Sequence, residues 1–142
     1  MRRTSGHYLP LNVVVFSTDS HCRKLRRQSK LMTNVRIVYV TAPNRQEAQK
    51  IARQVVEERL AACANILGDI ESFYHWDNQL ENGHEVAFFL KTTVEGEAKL
   101  IERVKELHSY SCPAIITIPI ANGFQPFLDW VVAETNPVLS RT

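Results

Sequence analysis

The chain has 142 residues, 44% hydrophobic and 23% charged, which suits one globular domain with a sizeable core. No apolar run approaches the ~20 residues of a membrane span, and Cys22, Cys63 and Cys112 lack CxxC spacing, which argues against a disulfide framework and for a reducing compartment. The net charge of +2 divides unevenly: residues 1–32 hold seven basic residues against Asp19 (+6), and the rest holds ten basic against fourteen acidic (−4), so the body lacks the basic face that nucleic acid needs.

In chain order, Met1-Arg2-Arg3 and the apolar stretch Tyr8 to Phe16 have the outline of a secretory signal. Pro10 and Asn12 interrupt that stretch, and the basic run Arg23 to Lys30 stands where a small-x-small cleavage site belongs. Residues 1–32 are expected to be a basic, disordered extension, with Met32-Thr33-Asn34 resembling a natural start and residues 33–142 forming the folded domain. Val35 to Thr41 is β-branched and aromatic, as a strand is. Ala42-Pro43 ends it, and Asn44 with Glu47 predicts a capping box for a helix reaching Leu60. Ala48, Ile51, Ala52, Val55 and Val56 recur there at helical spacing.

The stretch Ala61 to Ile66 returns to extended backbone, and Gly68-Asp69 predicts a bulge. Ile70 to Lys91 reads as two long strands joined by a tight turn at Asp77-Asn78. The longer arm is about a dozen residues and on the order of 40 Å, against roughly 34 Å across a 100-residue domain. A ribbon that overhangs its own domain needs a partner, so self-association is expected. Thr92 and Glu95 suggest a second capping box, opening an amphipathic helix over Ala98 to Leu107. Ala114 to Ile120 gives the last strand, placed at a sheet edge by Pro119, and Pro126 suits the first turn of a short terminal helix.

This βαββαβ order, with a short C-terminal helix, predicts an α+β, ferredoxin-like split βαβ fold with an antiparallel sheet. Its uncovered face, holding Tyr74, Trp76, and Phe88 or Phe89, is a second reason to expect assembly.

Four segments carry a family pattern in order: VTAPN (Val40 to Asn44), ERLAACANI (Glu58 to Ile66), Ser72 to Thr93, and Leu107 to Trp130. Across residues 35–134 the chain resembles the divalent-cation tolerance family, CutA. The resemblance implies a ferredoxin-like subunit in tight homotrimers, with long hairpins wrapping neighbours. It further implies a cytoplasmic setting and a role in the response to copper and other divalent metals, bound without being obligatory cofactors. The chain departs from the family pattern at His108-Ser109-Tyr110-Ser111 and at Ala114. A copper site described in some members maps onto Val40, Leu107 and His108, of which only His108 is a ligand type.

Cys112 lies four residues from His108, and a thiolate with an imidazole suits copper or zinc, so His108 and Cys112 are the candidate metal ligands. Cys63 reads as a packed small hydrophobe. His75, His84, Glu81 and Glu85 read as a solvated turn region. Lys91, Tyr110, Tyr74 and Trp76 are the candidate lining of a ligand cleft between subunits. No GxGxxG, Walker, HExxH or GxSxG pattern is present, so no enzyme is expected. Alternatives are a nucleotide- or anion-sensing trimer using Lys91 and His108, and an RNA-recognition module, which the missing aromatic and basic pattern opposes.

Overall fold

The computed structural model describes residues 32–136; the expected extension, with Cys22 and the signal-like stretch, lies outside the described residues. Seven elements follow: β1 Val35–Ala42, α1 Arg45–Glu57, β2 Cys63–Trp76, β3 Gln79–Thr93, α2 Glu97–Leu107, β4 Ile115–Pro119 and α3 Gln125–Thr135. The sheet runs β2-β3-β1-β4, with every pairing antiparallel. This is the predicted α+β, ferredoxin-like plan, and Pro119 sits on the edge strand β4, where its missing N–H costs no ladder bond. No helix among the described residues is long and apolar enough to cross a membrane.

Alternation along the strands decides what is buried. Val38, Val40 and Ala42 of β1 and Val86, Phe88 and Leu90 of β3 turn toward α1 and α2 and meet Ile51, Val55, Leu100 and Val104 in one core. Each such apolar side chain contributes about 1.5–3 kcal/mol when fully buried. The opposite face is only partly open, because Leu128 and Val131 of α3 pack with Val35 and Ala62 at one end. Of the aromatics expected there, Phe88 belongs instead to the helix side, fully buried. Phe89 lies on the open side, its ring 5.7 Å from that of Tyr39.

Asn44 caps α1 as expected, its Oδ1 accepting from the Glu47 backbone N–H at 2.9 Å. The reciprocal half of the capping box does not form, because the Glu47 carboxylate accepts from Ser109 instead. The helix closes at Glu57, short of Leu60, where Arg59 adopts a left-handed backbone (φ 57°). The second expected box is a correction too. Helix α2 begins at Glu97, and Thr92, fully buried, donates its hydroxyl to the Leu60 carbonyl. A buried carbonyl left without a donor outweighs a cap that water can replace.

Strands β2 and β3, 14 and 15 residues long, are even longer than the sequence suggested. Asp77 and Asn78 join them with φ of 47° and 62°, the positive values a two-residue hairpin turn demands. The bulge falls where Gly68 was flagged: register slips between Ile66 and Gly68, whose φ of 138° only glycine adopts readily.

Candidate functional site

The bulge sets the chemistry of the ribbon. Before it, Ala64 and Ile66 lie opposite Leu90 and Phe88, on the helix side. One extra residue, Leu67, shifts the phase, so beyond it Ile70, Ser72, Tyr74 and Trp76 stand on the other side, opposite Glu85, Gly83, Glu81 and Gln79. That side, the Tyr39 and Thr41 positions of β1, and the loop from Ser109 to Ala114 enclose a cavity of about 770 Å³. The ribbon supplies its aromatic wall, and the loop between α2 and β4 supplies Tyr110 and Cys112.

A half-buried carboxylate anchors the floor. Glu85 accepts the Thr41 hydroxyl at 3.0 Å and the Ser72 hydroxyl at 2.7 Å, one on each oxygen. Behind the loop, His108 is enclosed. Its Nδ1 accepts the Tyr110 backbone N–H at 3.1 Å, which leaves Nε2 protonated to donate to the Thr41 carbonyl at 2.7 Å. Glu47 holds the same loop, one oxygen accepting both the backbone N–H and the hydroxyl of Ser109 at 2.9 Å, 3.4 Å from His108 Nδ1. The Tyr110 phenol is pushed above its ordinary value, first by burial and then by the carboxylates of Glu85 and Glu47. The charged residues lining this cavity, Glu81 and Glu85, are both acidic.

The candidate residues are sorted by this geometry. Tyr74, Trp76, Tyr110 and Cys112 line one cavity. Lys91 does not; it sits six residues along β3 from Glu85, paired in register with Ile37 and Cys63. Cys63 is half-buried, and burial raises its thiol while Lys91 opposes the rise. His108 lies beneath the loop with both ring nitrogens engaged, so it turns no lone pair toward Cys112. Val40 is in the core and Leu107 packs against it. Among the described residues no group of three or more His, Cys, Asp or Glu is placed to hold a metal ion, so a copper centre does not fit the side chains present. Glu85, Thr41 and Ser72 are the polar centre that reading the ribbon as a solvated turn overlooks. Counting outward from Asp77-Asn78 places Glu85 two pairs from Tyr74 on the same side, a signal available in the sequence.

A family model described as "CutA1 divalent ion tolerance protein" matches residues 36–134. The "Divalent-cation tolerance protein CutA" of Thermus thermophilus is 42% identical over 99 residues, covering 70% of this chain and 96% of its own length. "Protein CutA, chloroplastic" of Arabidopsis thaliana is 35% identical over 129 residues, covering 89% of this chain and 70% of its own. The solved structure of the Thermus thermophilus protein superposes with a TM-score of 0.70 at 41% identity, covering 72% of this chain and 99% of that one.

Proposed function

The chain belongs to the CutA1 divalent ion tolerance family, and from that premise we propose that it serves tolerance to copper and other divalent cations as a non-enzymatic, cytoplasmic homotrimer. One observation carries the assembly. The ribbon of β2 and β3 spans on the order of 45 Å and exposes Phe73 and Leu80 at 65% and 68% near its tip, on the side opposite Tyr74 and Trp76. Apolar surface of that kind on an unpaired ribbon is stable when sister chains cover it. Free Cys63 and Cys112 support the reducing setting. Metal binding is weak in this reading, since His108 has both nitrogens engaged and only the exposed thiol of Cys112 remains of the predicted pair.

Sedimentation equilibrium of the full chain at micromolar concentration tests the assembly. The expected species is three times the 16.3 kDa chain mass, and a stable monomer would overturn the proposal. Calorimetry with copper tests the metal reading. His108→Ala should destabilise the fold by about 1–3 kcal/mol, through the polar partners it strands, and leave copper affinity unchanged within about twofold. A large loss of affinity would restore His108 as a ligand.

The cavity favours a second reading, a small-molecule-sensing trimer, because its volume lies within the 300–1,000 Å³ typical of ligand sites. The anionic or nucleotide version loses support: Lys91 is elsewhere and the charged residues lining the cavity are Glu81 and Glu85.

A further inference from the structure

We propose that the cavity between the ribbon and the Ser109–Ala114 loop binds a protonated organic amine with a flat hydrophobic body, its ammonium on Glu85 and its body against Tyr74, Trp76 and Tyr110. The inference deepens the small-molecule reading and is independent of the metal one.

Charge selects the ligand class. Glu85 and Glu81 line the cavity, and none of its lining residues is Lys, Arg or His. A phosphate or carboxylate ligand would enter against two like charges. A zinc- or copper-type centre would need three or more His, Cys, Asp or Glu ligands, and no such group is placed among the described residues. An ammonium asks for less. Thr41 and Ser72 fix the Glu85 carboxylate through one hydroxyl on each oxygen, and each oxygen keeps acceptor capacity for an N–H donor. Orientation by those hydroxyls is preorganisation, which lowers the ordering cost of binding. The surrounding rings add their own attraction for a cation where water is displaced.

The remaining occupant of suitable charge is a basic side chain from a sister subunit. A cavity of about 770 Å³ is sized for a whole small molecule, and one lysine or arginine would leave most of it empty.

The full chain is titrated calorimetrically with tyramine, with 4-ethylphenol (the same body without the amine) and with inorganic phosphate, and sedimentation is run on the same samples. Tyramine is expected to bind saturably, once per chain, at least about tenfold more tightly than either of the others, a gap of about 1.4 kcal/mol. Glu85→Gln, nearly the same shape, should weaken tyramine by about tenfold or more with the oligomer unchanged, and Trp76→Leu by several-fold. Equal binding of 4-ethylphenol, no tyramine binding, or full affinity in Glu85→Gln would each overturn the proposal. So would loss of the oligomer in Glu85→Gln from a parent that binds no amine, which would assign the carboxylate to a sister subunit. A non-trimeric chain that binds tyramine with this selectivity would overturn the trimer and leave the amine site standing.

Discussion

At the residue scale, exposed ion pairs and buried hydroxyls behave differently. Arg103 donates to both oxygens of Glu58, at 2.9 Å from Nε and 2.8 Å from Nη2, and holds that carboxyl below its ordinary value, with Gln54 assisting. A lowered carboxylate stabilises the fold at pH above its unfolded value, roughly 4.3. That contribution fades as pH falls through the lower folded value. Glu58→Gln should therefore flatten part of the acid limb of a plot of Tm against pH, and the difference should shrink in 1 M salt because the pair is exposed to solvent. Thiol chemistry separates in the same way. Burial raises the Cys63 thiol, whereas Cys112 is exposed. Iodoacetamide at pH 8, followed by peptide mass mapping, should label Cys112 well before Cys63; the reverse order would contradict the placement of both.

At the element scale, the ribbon depends on one glycine. An added Cβ at Gly68 would meet nothing nearer than an Arg45 guanidinium nitrogen at 4.0 Å, so space is ample and the φ of 138° is the obstacle. Gly68→Ala should cost about 1–3 kcal/mol in urea unfolding, as a backbone held in a region L-residues avoid. The same contrast shows what the sequence could and could not reveal. Strand alternation, the Asn44 cap, the Asp77-Asn78 turn and the Gly68 bulge were legible because each follows from local backbone preference. Thr92 and Glu47 were misread because their partners, Leu60 and Ser109, are distant in the chain, and capping is a local rule overruled by burial. Tyr74, Trp76 and Tyr110 were recognisable as a group. Lys91 was grouped with them, yet strand register places it six residues along β3 from Glu85, outside the lining of the cavity. The helix-facing position of Phe88 over Phe89 became decidable only with the pairing of β3 to β1.

At the scale of the whole molecule, α1 and α2 finish one face of the sheet, while on the other α3 closes only one end. Ile116 and Ile118 of the edge strand stay exposed there, while Phe73 and Leu80 are exposed on the side of the ribbon opposite Tyr74 and Trp76. Leu80→Glu and Phe73→Glu should weaken self-association without unfolding the chain. Sedimentation should report the loss while circular dichroism stays unchanged; an intact trimer would mean that the tip is not covered by a sister chain. The single supernumerary residue in β2 then acquires a mechanical meaning. Removing Leu67 would leave every remaining rung of the β2–β3 ladder with its present partner, yet it would straighten the ribbon and swing its far end to a new heading. Such a protein would keep its strands and lose its aim, so the heading of the ribbon is steered by one exposed amino acid that lies outside the core.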